Sequence, residues 1–219
     1  MRSRSGGERG ELTGLPGRDE FLRALDQGIA EAREAGGSVS LGLTDIDMFR
    51  ELNERHGDAA GDALLKALTA HLMEAAPEGG ALYRCGGDEF MLLMPGVDKE
   101  SAFLLLEQAR RDFEGERELT AAGHVITIRA SISGGVAAFP EDGATSQELA
   151  RKADDAMYRS KAGGRSKVSL AREERMVTKT SHYTQGQLDR LSDLAKREGL
   201  GEAVLLREAL DDLLRKYSL

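Results

Sequence analysis

Apolar positions recur along the chain in two periods, and the switches between them mark out its elements. Phe21, Leu22, Leu25 and Ile29 return at helical spacing after Leu15-Pro16-Gly17, and Ala35-Gly36-Gly37 stops that helix. Val39, Leu41 and Leu43 alternate with small polar residues, the period of a strand running into Thr44-Asp45-Ile46-Asp47. A short helical stretch over 48–53 breaks near Gly57. A longer helix then carries Ala63, Leu64, Leu65, Leu68 and Leu72 on one face and ends before Pro77. Two apolar runs, Ala81–Tyr83 and Phe90–Met94, flank Arg84-Cys85-Gly86-Gly87-Asp88-Glu89, which predicts a β-hairpin with acids at its tip. Ala102, Leu105, Leu106 and Ala109 mark another helix, and Val125 to Ile132 reads as one β-branched run ending at Gly134-Gly135. Thr145-Ser146-Gln147-Glu148 is a capping-box pattern opening a helix with Leu149, Ala153, Ala156 and Met157. Gly163-Gly164 closes it, and Val168-Ser169-Leu170 adds a last short strand.

Helices alternating with strands around one central hairpin predict an α+β fold, a βαββαβ palm of antiparallel sheet backed by helices. This palm spans 12–170, after a loose Gly/Ser/Arg/Glu-rich stretch over 1–11 and before a charged linker over 171–175. From Met176 the pattern restarts as a short strand and two helices. Leu188, Leu191, Leu194 and Ala195 form one apolar stripe, and Val204, Leu206, Leu210, Leu213, Leu214 and Tyr217 another. These 44 residues with one strand are too few to close a core alone. Pairing with the same strand of a second chain is the expected remedy.

The length of 219 residues fits that division, one domain of roughly 150 to 170 residues with a small appendage. A net charge of -8 argues against general affinity for nucleic acid or anionic membrane. The single cysteine, Cys85, excludes an internal disulfide framework and fits a reducing compartment. No apolar run approaches membrane-spanning length, and the polar first residues lack the apolar core of a signal peptide, so the expected location is the cytoplasm.

The candidate chemistry lies in two acidic clusters. Asp45 and Asp47 end the first strand, and Asp88-Glu89 stand at the hairpin tip. If the strands are neighbours the carboxylates converge at one sheet edge, where their repulsion is offset by a cation or by unusual protonation. Mg²⁺ suits such a site, since it takes hard oxygen ligands and commonly uses one or two carboxylates plus substrate phosphates. Lys161 and Arg165 flank the Gly163-Gly164 break and supply positive charge, either to phosphates or to the negative end of a helix.

These residues belong to a pattern. Leu12-Thr13-Gly14-Leu15-Pro16, Asp45-Ile46-Asp47-Met48-Phe49-Arg50 with Asn53, Gly61-Asp62 and Arg84 to Phe90 occur in order. Ser133 to Ala137, Ala156-Met157-Tyr158, Lys161 and Gly164-Arg165 follow, and the whole resembles the GGDEF domain of diguanylate cyclases. The resemblance implies condensation of two GTP into cyclic di-GMP with release of two pyrophosphates, across a head-to-tail homodimer. It implies that Asp45, the Ile46 carbonyl and Asp88 hold Mg²⁺ or Mn²⁺, with Asp45, Asp88 and Glu89 as the catalytic carboxylates. Backbone around Met48, Phe49 and Arg50 would cradle the phosphates with Lys161 and Arg165, Gly86 and Gly87 would open the hairpin to substrate, and Asn53 and Asp62 would face guanine. The chain departs from the family at Gly10, Gly17, Arg50 and Asp58, and Pro77-Glu78-Gly79-Gly80 stands where the family's inhibitory product site has its Arg and Asp.

Thr178 to Tyr183, Gln187 to Leu191, Leu194-Ala195, Gly199 and Leu206 to Leu210 resemble the ribbon-helix-helix family, dimers whose two-stranded ribbon enters the DNA major groove. That resemblance would turn Lys179, Ser181 and Tyr183 toward bases. Residues 171–219 hold nine Lys/Arg and nine Asp/Glu, a balance that leaves dimerisation alone and DNA binding both open. Two functions stand against each other: a cytoplasmic diguanylate cyclase dimerised by this appendage, with DNA as a second partner, and a GTP- or cyclic-di-GMP-responsive transcriptional regulator with a non-catalytic palm.

Overall fold

The helices expected from the apolar spacing form, and local chemistry sets their ends. In the computed structural model, which describes residues 12–172, 180–198 and 201–217, Gly36 takes the left-handed conformation (φ 64°) that stops α1 (Arg18–Ala35). β1 (Val39–Ile46), α2 (Phe49–His56) and α3 (Asp58–Ala75) follow. Asp58, one of the family departures, opens α3, where its charge complements the helix N-terminus. The hairpin comprises β2 (Ala81–Gly86) and β3 (Glu89–Pro95) and leads to α4 (Lys99–Phe113), whose N-cap Asp98 accepts from the Ser101 amide at 2.8 Å. Next come β4 (Gly115–Ala121), β5 (His124–Ala130), β6 (Ile132–Phe139), α5 (Ser146–Ala162) and β7 (Val168–Leu170). Thr145 caps α5 through a 3.2 Å bond from the Glu148 amide, while the Glu148 carboxylate reaches back to the Ala144 amide at 3.0 Å.

Among the described residues the sheet runs β2-β3-β1-β6-β7, with every pair antiparallel except the parallel edge β6/β7. Two apolar layers cover it. Leu64, Leu68 and Leu72 of α3 and Leu106 of α4 pack on one face, and Phe21, Leu25 and Ile29 of α1 with Leu149 and Met157 of α5 on the other. β1 lies between these layers, and all eight of its residues are buried. Its small positions face α4 and the loop before it: a methyl on Gly42 would lie 3.0 Å from Leu106, and Ser40 Oγ donates to the Val97 carbonyl in that loop at 2.8 Å. Small size here makes room for a helix rather than marking solvent.

The β-branched run ending at Gly134-Gly135 is two strands, broken at Ser131. β5 pairs with β4 in a separate two-stranded ribbon, and β6 enters the main sheet. β4 shows no strand signal in the sequence, because only Leu119 and Ala121 of Gly-Glu-Arg-Glu-Leu-Thr-Ala are apolar. The family's inhibitory-site segment forms a tight turn before β2, closed by Gly80 donating to the Pro77 carbonyl at 2.9 Å.

The chain divides into two compact units, Met1–Glu173 and Glu174–Leu219. In the second, α6 (Gln185–Glu198) and α7 (Glu202–Lys216) form. Residues 180–184 carry no regular secondary structure. The rest of the expected strand, 176–179, lies outside the described residues, as do the expected loose start at 1–11 and linker residues 173–175.

α5 lies directly on β6 at Gly135, where a methyl would collide with the Ala153 carbonyl and the Met157 amide. Both obstacles are backbone and cannot rotate aside. Gly135→Ala is therefore expected to destabilise the palm by roughly 3 kcal/mol, measured by chemical denaturation with Gly37→Ala, where a methyl makes only ordinary contact, as control.

Candidate active site

Pairing of β1 with β3 sets Asp45 opposite Glu89, and Asp88 precedes Glu89 in the turn from β2. A register shift between Arg84 and Gly86 bends β2, and Gly86 (φ 149°) and Gly87 (φ 49°) make the reversal in backbone that favours glycine. Arg84 grips the turn from behind: its Nε and Nη2 donate to the Gly87 carbonyl at 3.0 and 2.6 Å. Burial pushes the neighbouring Cys85 thiol up to about 11, which keeps it neutral and unreactive.

The three carboxyls share a strained electrostatic setting. Burial, reinforced by Asp88 and Glu89, lifts Asp45 from its ordinary 3.8 to about 6, against the pull of Lys161. Burial likewise raises Asp88, and raises Glu89 with help from Asp154 and Asp88. The Lys161 ammonium lies 2.8 Å from Asp45 Oδ2, bringing the last turn of α5 to the end of β1. Sequence reading missed two neighbours of Glu89, Arg18 at the start of α1 and Asp154 of α5. Asp154 had a signal, since it stands seven residues before Lys161 and so on the same helical face.

Asp47 does not join the cluster. Ser133 Oγ donates to its Oδ1 at 2.7 Å, and Ser131 Oγ and the Ser166 amide donate to its Oδ2 at 2.7 and 3.0 Å. Convergence at the sheet edge thus holds for Asp45 and Asp88-Glu89 only.

Beyond β1 the chain turns through Met48, a non-glycine residue at φ 57°, into α2. The first-turn amides of Phe49 and Arg50 have no acceptor within the helix. The Arg50 guanidinium is exposed and meets Glu54 at 2.9 Å, one turn along α2. Asn53 lies over Gly61, so closely that a methyl on Gly61 would overlap its Oδ1, and that oxygen is buried with no hydrogen-bond partner. Asp62 is exposed on α3, next to Gly61. Ile46 is buried at the end of β1, and Arg165 is exposed in the turn after α5 at φ 64°.

A family model for the diguanylate cyclase GGDEF domain matches residues 9–167. The chain belongs to the GGDEF domain family. Within it, the chain is 32% identical over 167 residues to diguanylate cyclase DgcP of Pseudomonas aeruginosa, covering 73% of this chain and 23% of that protein. It is also 32% identical to response regulator PleD of Caulobacter vibrioides over 158 residues, 72% of this chain and 35% of the other. The GGDEF domain of DgcB from Caulobacter crescentus, solved in complex with c-di-GMP, superposes with a TM-score of 0.69 at 28% identity, over 78% of this chain and 99% of that one. The chain therefore spans about a quarter to a third of the length of these curated relatives.

Outside the GGDEF domain, Ser181 and Tyr183 are exposed before α6, and Lys179 lies outside the described residues. No helix among the described residues is long and apolar enough to cross a membrane.

A raised carboxyl pKa means that between pH 3.8 and about 6 the folded chain holds a proton the unfolded chain has released. Stability of the ligand-free protein should fall as pH climbs through that window. Asp45→Asn is expected to flatten this decline. At about 1.4 kcal/mol per pKa unit and roughly 2–4 °C per kcal/mol, it should raise Tm above pH 7 by several degrees. Calorimetric scans of both proteins from pH 4 to 8 check the slope as well as the offset.

Proposed function

We propose that this GGDEF protein is a diguanylate cyclase that condenses two GTP into cyclic di-GMP and two pyrophosphates. The observation that carries the reading is the convergence of Asp45, Asp88 and Glu89, all held above their ordinary pKa, with one lysine at their edge. Such a site lacks positive charge. Among the described residues no group of three or more His, Cys, Asp or Glu side chains could hold a metal ion alone. The all-oxygen donor set of Asp45, Asp88 and the Ile46 carbonyl fits a hard divalent cation, Mg²⁺ or Mn²⁺, whose remaining positions substrate phosphates would fill. Bound there, the cation supplies charge neutralisation at the α-phosphate and the departing pyrophosphate.

The chain's own residues do the rest. Glu89 lies beside the cluster, ready to take the proton as the 3′-hydroxyl oxygen of one nucleotide bonds to the α-phosphorus of the other and the bond to pyrophosphate breaks. The amides of Phe49 and Arg50 at the N-terminus of α2, with Lys161 and Arg165, receive the phosphates. Gly86 and Gly87 keep the hairpin open to substrate, without a side chain. The unpartnered Asn53 Oδ1 is a buried acceptor that guanine's N–H donors satisfy, and Asp62 stands on the same helical pair. The reaction needs two such half-sites. The exposed apolar row of α7, Leu206, Leu210, Leu213, Leu214 and Tyr217, supports a homodimer through the C-terminal unit, read as a ribbon-helix-helix. DNA contact through Lys179, Ser181 and Tyr183, and a cytoplasmic location, belong to the same proposal.

With GTP and Mg²⁺, chromatography should find cyclic di-GMP from the wild type and at least ~100-fold less from Asp88→Ala. Intact GTP in both samples would sink the cyclase and favour a nucleotide-responsive regulator. A second experiment addresses the dimer. Leu210 and Leu214 are 53% and 39% exposed one turn apart, and Leu210→Asp/Leu214→Asp should convert a micromolar dimer to monomer in sedimentation and make specific activity fall on dilution. An unchanged sedimentation coefficient would remove this face from the interface.

A further inference from the structure

Asp47 has all the chemistry of a metal ligand but is committed elsewhere. Both of its oxygens are occupied, by Ser131 Oγ, Ser133 Oγ and the amide of Ser166. Of these donors Ser133 lies in β6 and Ser131 just before it, across from the end of β1. The third lies 119 residues away in sequence, in the turn that follows α5.

That turn is unusual. Gly164 (φ 105°), Arg165 (φ 64°) and Ser166 (φ 46°) are consecutive in the positive-φ region, and only the first is a glycine. Two side-chain-bearing residues do not hold left-handed backbone unless their surroundings impose it. Three contacts do so here. The Arg165 amide donates to the Ser160 carbonyl at 3.0 Å, Arg110 Nη1 donates to Ser166 Oγ at 2.9 Å, and the Ser166 amide donates to Asp47. Arg110 is itself nearly buried and fixed by Glu107 and Glu114, so it is a rigid support.

On its other side, Asp47 is followed directly by Met48 and the first turn of α2. One buried carboxylate therefore joins the segment bearing the Phe49 and Arg50 amides to the segment bearing Arg165. We infer that Asp47 is a positioning residue that sets Arg165 against the backbone cradle, so that both engage one polyphosphate. This rests on the cyclase reading for the identity of the substrate, though not for the geometry.

The test is a double-mutant cycle between Asp47 and Arg165 in the full chain. Its readouts are calorimetric affinity for a non-hydrolysable GTP analogue, and KM and kcat for GTP. Asp47→Ala is expected to weaken analogue binding and raise KM about tenfold with kcat changed by less than about threefold, and to add less than about twofold once Arg165→Ala is present. If the alanine variant does not fold, Asp47→Asn decides. It keeps one acceptor for the Ser166 amide and should weaken binding by roughly two- to fourfold, again with no further loss beside Arg165→Ala. Additive losses, unchanged binding, or a fall in kcat at constant KM would overturn the positioning role. Analogue binding without turnover by the wild type would defeat the cyclase reading while leaving the cycle readable, and no binding by the wild type would overturn both.

Discussion

Pairing of β1 with β3 in the register that sets Asp45 opposite Glu89 forces like charges together at the end of a strand buried on both faces. β1 cannot slip to relieve them. It is bonded along its length to β3 on one side and β6 on the other, and a one-residue shift would exchange its large apolar positions with the small ones that admit α4. The repulsion is therefore built in; it adds to the burial that raises the Asp45 and Glu89 carboxyls, and a lysine lies 2.8 Å from Asp45. A site of this kind is incomplete without added positive charge, which is why a cation and a polyanion that binds it are the natural occupants.

Glycine does two separate jobs around that site. In the hairpin, Gly86 and Gly87 make a reversal that side chains would strain, and Arg84 pins it through the Gly87 carbonyl. In the body, Gly135 lets the α5 backbone rest on β6, which fixes where the last turn of α5 delivers Lys161. Gly61 acts likewise on a smaller scale, letting α2 and α3 close around the Asn53 amide. Distances in the site thus depend on packing decisions made some way from it.

Much of this was legible in one dimension. The hairpin, the helix carrying Lys161 and the acids at the ends of β1 and β3 came from periodicity and turn chemistry, and the order of the motifs pointed to the GGDEF family that the comparison bears out. What the pattern does not give is the split of the 125–132 run at Ser131 and the strand β4, whose seven residues include only Leu119 and Ala121 as apolar ones. Nor does a small residue mark solvent, since Gly42 in β1 is small where Leu106 of α4 presses on it.

What the sequence determined by itself was local: which segments coil or extend, where they stop, and which side chains with the right chemistry lie at their ends. Spacing and capping act within a few residues, so a single window contains the cause. Only the tertiary structure decided which of those side chains meet. Asp45 and Asp47 are two residues apart and alike, yet one joins Asp88 and Glu89 while three donors from Ser131, Ser133 and Ser166 absorb the other. Such choices depend on strand register and on which helix lies across which strand, and those are set by packing between residues far apart in the chain.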